Sequence, residues 1–496
     1  MKQVITTSNH KHETFSSRLG FILVSAGCAV GLGNVWKFPY ICGEYGGAAF
    51  IFLYLLFLVF LGLPILICEF AIGRGSQSSI GSALKKLESK QTIWHKYRWF
   101  GFAGNYLLMM FYTMVAGWML HYVYLSATNA LSGDIAHINS QFSNMLASPA
   151  TMTFWTLFVI AVCLLVCAFG LNNGVERITK LIMLLLITLI IIMAIYSVTL
   201  PGASKGLRFY LIPDFKRMFE QGIGNVLFAA MSHAFFTLSV GMGSMEIFGS
   251  YLTKERKLTV EAFSVVLLDT MIALAAGIII IPACFSCSIA PDAGPSLLFI
   301  TLPGVFQQLP AGVLWATLFF VFMSFAALST VIAVFENIIA MTIDLFEVSH
   351  KTSILLNLIG ITLLSLPAVF GFNLLKGITP FGAGSTIMDL EDFLVSYNII
   401  PLGSLLFVLF CVKKNGWGFE NFLKETNKGS GISFPRFLRG YMTYVLPLII
   451  LFIYFKGYYD MFHTKEPLQF FVWMGISIIC AGFVLFISLY KPRKKS

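Results

Sequence analysis

The chain has 496 residues, 57% of them hydrophobic and only 11% charged, with a formal net charge of +10 and a mean hydropathy of +0.83. That composition excludes a soluble globular protein. The positive charge does not argue for nucleic acid, because the lysines and arginines lie between apolar stretches, where a membrane protein carries them.

Twelve apolar stretches long enough to cross a bilayer as helices run at 18–42, 47–72, 99–128, 151–170, 178–200, 221–249, 257–287, 311–344, 353–372, 386–412, 440–458 and 468–490, numbered helices 1 to 12. The first is too long, and too closely followed by the second, to be a cleaved signal peptide. Segment 74–99 holds Arg74, Lys85, Lys86, Lys90, Lys96 and Arg98; segment 413–440 holds Lys413, Lys414, Lys424, Lys428, Arg436 and Arg439; the tail ends YKPRKKS. Loops 129–150 and 288–310 hold no lysine or arginine. The positive-inside rule therefore sets both termini in the cytoplasm. Segment 201–220 runs against the rule, since it should be outside yet carries Lys205, Arg208, Lys216 and Arg217.

Helix 1 contains GCAVGLGNVWKFPY (27–40), with Gly31 and Gly33 near mid-span. Irregular backbone survives at that depth only where it is buried in protein or lines a cavity. Helix 6 repeats the feature in FFTLSVGMGSM (235–245), where Gly241 and Gly243 fall inside the span. One such Gly-x-Gly alone reads more simply as close helix packing. Two on helices 1 and 6 say more, because an odd offset of five helices sends the second copy across the membrane in the opposite direction. This is the pattern of an inverted repeat, with 18–200 (helices 1–5) and 201–412 (helices 6–10) as its halves, and matched interruptions of this kind point to a transporter's substrate site. Residues 1–17 are then a cytoplasmic N-terminal segment, 413–490 the appended helices 11 and 12, and 491–496 a basic cytoplasmic tail. Each break frees carbonyls on one half-helix and N–H groups on the next, so a cation and a carboxylate find partners without a dedicated charged side chain.

Helix 7 carries Asp269 in VVLLDTMIAL, with no basic residue at mid-depth in any span to pair it; a cation or a proton is the expected partner. Helix 8 carries Ser329 and Thr330 in FAALSTVIAVFE. Their hydroxyls, with freed carbonyls, supply the neutral oxygens a hard cation takes. Asn34, after the first break, and Thr237, before the second, offer oxygens for another such site. Glu69 and Glu336 read as carboxylates that snorkel or form structural hydrogen bonds. Of nine cysteines, Cys28, Cys42, Cys68, Cys163, Cys167, Cys411 and Cys480 fall within or beside spans and read as small core residues. CFSC (Cys284, Cys287) has CxxC spacing without the second pair that zinc requires.

The stretches SSRLGFILVSAGCAVGLGNVWKFPYICGEYGGAAFIFLYLL, LPILICEFAIGRG, NNGVERITK, GLRFYLIPDF, FFTLSVGMGSMEIFGSY and MDLEDF resemble the neurotransmitter:sodium symporter family, which includes the bacterial leucine transporter, over residues 18–412. The resemblance implies an all-α membrane protein of 12 transmembrane helices with the leucine-transporter fold, a 5+5 inverted repeat and broken helices 1 and 6. It implies a secondary active symporter that imports an amino acid with sodium by alternating access. One sodium would be bound by Ala29, Asn34, Thr237 and Asp269 together with the substrate carboxylate. A second would be bound by carbonyls of Gly27, Val30 and Ala326 and the hydroxyls of Ser329 and Thr330. The amino acid would be lined by Ala29, Leu32, Gly33, Leu108, Tyr112, Phe236, Thr237, Ser239, Met242, Thr330 and Val334. Tyr112 is similar to the tyrosine that bonds the carboxylate, and Phe236 to the aromatic lid.

Departures from the family pattern are informative. At the outer gate Lys37 faces Asp392 where an arginine is usual, and lysine lacks the bidentate fork. At the inner gate Lys11, His12 and Phe15 stand against Tyr251 and Asp344 in place of an arginine and a tryptophan. His233 replaces a usual glutamine beside the region that binds chloride in animal members, which makes transport pH-sensitive; the fixed charge of Asp269 implies chloride independence. The apolar lining favours a hydrophobic or aromatic amino acid over glycine or an amine, and the short loop 129–150 and short termini look bacterial, placing the chain in a cell inner membrane. Its partners are then the amino acid and the lipid bilayer, with no nucleic acid. The rival readings are a proton-coupled carrier of the same fold, in which Asp269 titrates, and a sensor that binds an amino acid without moving it. An enzyme is not indicated, since the chain has no His/Asp/Glu cluster, nucleophile elbow or HExxH.

Overall fold

The computed structural model describes residues 13–31, 33–220, 222–287 and 297–490, with Trp36 described by its backbone alone. Leu32, Lys11, His12 and the tail 491–496 lie outside the described residues.

All twelve predicted stretches are helical. Ten are continuous among the described residues: Ala48–Ser76, Trp94–Ala127, Pro149–Ala168, Leu171–Val198, Leu258–Ser286, Gly312–Phe346, His350–Phe370, Ile387–Val412, Arg436–Phe462 and Pro467–Leu489. Helix 5 starts earlier than its apolar run, because the polar turn Leu171–Glu176 is tied down from outside. The Glu176 carboxylate accepts from the Ser16 N–H at 2.8 Å and the Ser16 hydroxyl at 2.6 Å.

Helices 1 and 6 are the broken ones. Helix 1 is Arg18–Ala29 followed by Gly33–Glu44, bent by 69°. Helix 6 is Ile223–Phe236 followed by Ser244–Ser250. Between its halves Ser239, Gly241 and Gly243 have φ of +49°, +91° and +80°, a left-handed backbone that no right-handed helix passes through.

Helices 8 and 10 lie inside the bundle, with 78% and 89% of their most apolar stretch buried, against 28% for helix 5 and 22% for helix 12. The second pair faces lipid, as exposed Ile191 and Ile195 on helix 5 and Phe471 and Ile479 on helix 12 show. The first half of helix 1 packs between helices 7 and 8, and the second half of helix 6 packs on helix 2. The last contact is backbone to backbone, since a Cβ on Gly249 would lie 2.7 Å from Phe70 Cα.

Segment 201–220 forms the short helices Ala203–Leu211 and Phe215–Glu220. Arg217 donates to the Gly43 carbonyl at 3.1 Å and its guanidinium sits 5.0 Å from the Phe209 ring. That cation therefore serves the negative C-terminal end of helix 1, which accounts for part of the basic charge on a loop that the charge rule alone misreads. It also puts segment 201–220 on the Lys37 side of the bundle, opposite the basic face built from 74–98 and 413–440.

Candidate ion and substrate site

Where helix 1 stops, its last carbonyls turn toward helix 8. The Thr330 hydroxyl lies 3.2 Å from the Gly27 carbonyl, 3.3 Å from that of Val30 and 3.2 Å from that of Ala326; the Ser329 hydroxyl lies 3.0 Å from the Ala326 carbonyl. A hydroxyl carries one proton, so Gly27, Val30, Ala326, Ser329 and Thr330 converge five oxygens on one spot with two hydrogens among them. The surplus of lone pairs is a cation's coordination chemistry. Gly27 permits the approach, because a Cβ there would meet Ser329 Cβ at 3.2 Å and Thr179 Cγ2 at 3.1 Å.

The second polar cluster joins helix 1, helix 6 and helix 7. Asp269, wholly buried, accepts from Asn34 Nδ2 at 2.7 Å and from the Thr237 hydroxyl at 3.0 Å. Asn34 Oδ1 is buried beside it without a hydrogen-bond partner among the described residues. Ala29, the last residue of the first half of helix 1, is also buried. A carboxylate and an orphaned amide oxygen in one dry place suit a positive ion, because a buried anion needs pairing.

Between the two clusters the breaks leave room that side chains would otherwise take. A Cβ on Gly31 would lie 2.6 Å from the Tyr112 hydroxyl, and one on Gly33 would lie 3.0 Å from the Phe236 ring. The Ser239 hydroxyl donates to the Cys28 carbonyl at 3.2 Å. Leu108, Met242 and Val334 are buried apolar residues. The structure thus sets Tyr112, Phe236 and Thr330 around the helix 1 break. Phe236 also lines a cavity of about 210 Å³ on the Lys37 side, with Ser232, His233, Tyr397 and Tyr454. The His233 ring lies against Phe38 and Tyr54 at 5.5 and 5.2 Å, and neither ring nitrogen has a hydrogen-bond partner among the described residues.

The expected outer gate differs. Among the described residues no ion pair joins Lys37 and Asp392; Asp392 accepts from Ser396 at 2.8 Å, and Lys37 Nζ stands 4.6 Å over the Phe236 ring. A lysine without a fork gains by stacking on an aromatic face what it does not gain from a bidentate pair. Lys37→Gln is therefore expected to speed dissociation of the amino acid that the family resemblance implies by about threefold to tenfold, and Asp392→Asn to change it by less than about twofold. Dissociation of the radiolabelled amino acid from purified protein reads both, and a larger effect at Asp392 would restore the ion pair as the lid's fastening.

At the basic face Phe15 packs edge-on against Tyr251 at 5.9 Å, and the Tyr251 hydroxyl donates to Glu336 at 2.9 Å. Lys11 and His12, the expected basic partners of Asp344, lie outside the described residues. Asp344 accepts from the Ser79 N–H at 2.9 Å, the Ser79 hydroxyl at 2.6 Å and the Ser82 hydroxyl at 3.2 Å, because the start of the helix Ile80–Leu87 leaves donors that a carboxylate satisfies.

Neither Glu69 nor Glu336 snorkels. Glu69 is fully buried and accepts from the Gly241 N–H, holding the helix 6 break from helix 2. Asn105 is a residue that the sequence reading passed over. It donates to the Met242 carbonyl at 2.8 Å and accepts from Asn337 at 3.0 Å and Ser244 at 3.2 Å, linking helices 3, 6 and 8. An asparagine in the apolar run GFAGNYLLMM was the available signal.

Two helices interrupted at mid-depth around oxygen clusters and an apolar-walled gap define a membrane transporter. Residues 12–140 and 133–491 match the sodium:neurotransmitter symporter family. The chain is 35% identical over 450 residues to an uncharacterized sodium-dependent transporter of Bacillus subtilis, covering 90% of this chain and 98% of the relative. It is 34% identical over 468 residues to an uncharacterized sodium-dependent transporter of Haemophilus influenzae, covering 91% and 100%. The crystal structure of MhsT in complex with L-phenylalanine superposes with a TM-score of 0.79 at 36% identity, covering 89% of this chain and 99% of that one. The chain belongs to the sodium:neurotransmitter symporter family. It is a sodium-dependent multi-pass membrane transporter of the leucine-transporter fold, not an enzyme.

Proposed function

We propose that this chain imports a hydrophobic or aromatic amino acid together with two sodium ions by alternating access. The observation that carries the reading is the buried Asn34 Oδ1, unpartnered among the described residues, beside Asp269, with the five-oxygen cluster around Thr330 as its counterpart on the other side of the helix 1 break. One sodium is held by Ala29, Asn34, Thr237 and Asp269 and by the substrate's own carboxylate. The other is held by Gly27, Val30, Ala326, Ser329 and Thr330. Tyr112 bonds the carboxylate, and Phe236 covers the side chain, which lies among Leu108, Met242 and Val334 with Gly33 and Ser239 completing the wall. The relative solved with L-phenylalanine supports an apolar substrate of this size.

Because the first sodium site is completed by substrate, each ligand raises the other's affinity by the same factor. Asp269 supplies a fixed anion, so chloride is not required. The basic face is cytoplasmic, both termini lie inside, and the membrane is a bacterial inner membrane. Helices 1–5 and 6–10 form the two inverted halves, with the matched breaks of helices 1 and 6 at the site.

The test is uptake of radiolabelled tyrosine, tryptophan, phenylalanine, leucine and alanine into proteoliposomes, with a sodium gradient and with choline in its place. Uptake that requires sodium and ranks the aromatic and branched amino acids above alanine is the expected result. Equal uptake in choline would remove both cation sites, and a preference for alanine would remove the substrate class.

A further inference from the structure

Glu246 opens the second half of helix 6, within SVGMGSMEIFGSY. It is fully buried, and among the described residues neither of its carboxyl oxygens closes a hydrogen bond of ordinary geometry. Its neighbours are not so placed. Asp344 has three donors from Ser79 and Ser82, and Glu69 takes the Gly241 N–H.

The groups that face Glu246 are Glu69 from helix 2, Asp344 from helix 8 and Lys86 from the helix Ile80–Leu87. Two of these three are further carboxyl groups, each with side-chain or backbone donors bonded to it. Lys86 is exposed, so water screens its charge. The N–H of Ile80 is the nearest backbone donor to the carboxyl. Gly73 of helix 2 packs so closely that a Cβ there would lie 1.9 Å from the Glu246 carbonyl oxygen. An ionised carboxylate buried in such a place, with so little donation and beside two further carboxyl groups, is strongly disfavoured.

We propose that Glu246 is a proton-binding site and that the basic-face seal closes only over its neutral carboxyl. The seal is Asp344, which faces Glu246, fastened to residues 79–82, together with Phe15 on Tyr251 at the same basic face. When the seal opens, water reaches the carboxyl, its O–H bond breaks, the electron pair stays on Glu246 and the proton passes to cytoplasmic water. Closing takes a proton back from the same side. An alkaline cytoplasm therefore holds the transporter open inward, and an acidic one favours its return. The meaning of this opening rests on the transporter reading; the site does not.

Hydrogen-exchange mass spectrometry on the full chain in lipid nanodiscs tests it without any substrate. Between about pH 6 and about pH 9, after correction for intrinsic exchange rates, segments 15–29 and 79–87 are expected to exchange about fivefold faster in the wild type at the alkaline end. Glu246→Gln, which imitates the protonated carboxyl, is expected to stay at the acid level throughout. A wild type that is flat across this range overturns the proposal, as does a Glu246→Gln variant that follows the wild type. Should that variant lose its fold, exchange rises along the whole chain, and the wild-type titration alone decides. A failure of sodium-driven uptake would leave this measurement intact, so the two readings fail separately.

Discussion

Replacing Asp269 by asparagine is expected to raise the sodium concentration for half-maximal uptake by about 100-fold or more. The carboxylate is fully buried and held by Asn34 at 2.7 Å and Thr237 at 3.0 Å, so the substitution preserves size and removes the charge that would balance the proposed ion. Removing one partner of a buried charge pair costs about 3 kcal/mol or more, which is about a hundredfold in affinity. On the proposal that sodium and substrate complete one site, the apparent affinity for the amino acid should fall by a similar factor at fixed sodium. Sodium-22 binding to purified protein, with and without amino acid, separates the two effects. A variant that keeps its sodium affinity within about threefold would show that Asp269 is not a ligand and that its hydrogen bonds only brace helix 7 against helices 1 and 6.

A loss of a different kind is expected for Gly241→Ala, which should leave little monodisperse protein after detergent extraction. Gly241 has φ +91°, and a Cβ there would lie 2.2 Å from the Ile400 carbonyl oxygen and 2.8 Å from the Ser404 hydroxyl. Neither side has slack, since the Gly241 N–H is bonded to Glu69 and a Cβ on Gly403 of the facing helix 10 would lie 1.7 Å from the Gly241 carbonyl oxygen. The left-handed backbone costs about 1–2 kcal/mol for alanine, and the backbone clash brings the total to about 4 kcal/mol or more, a large share of a typical folding free energy. Gly243→Ala is the matched control. Its φ of +80° carries the same backbone penalty, but its Cβ would meet only the Ile80 side chain, at 3.3 Å, so it should stay folded and lose about 1–2 kcal/mol. Size-exclusion profiles and thermal unfolding of the two variants give the comparison. Equal behaviour would mean that the contact with helix 10 is softer than its geometry implies.

Much of this protein was legible before any coordinates. The twelve spans follow from hydropathy, because bilayer thickness demands long apolar runs and admits few alternatives. The two breaks follow from glycine pairs at mid-span, and Asp269, Ser329 and Thr330 stand out because polar groups in hydrocarbon need a reason. Each is a local property of the chain, set by one segment and the solvent around it.

The tertiary structure decided what depends on distance between segments. It set Lys37 over Phe236 rather than on Asp392, gave Asp344 to Ser79 and Ser82, and turned Arg217 onto the end of helix 1. It also left Glu246 buried beside carboxyl groups from helices 2 and 8, which no spacing in the sequence foretells. A charged residue's meaning lies in which donors reach it, and those come from segments up to hundreds of positions away, brought together only when the helices pack.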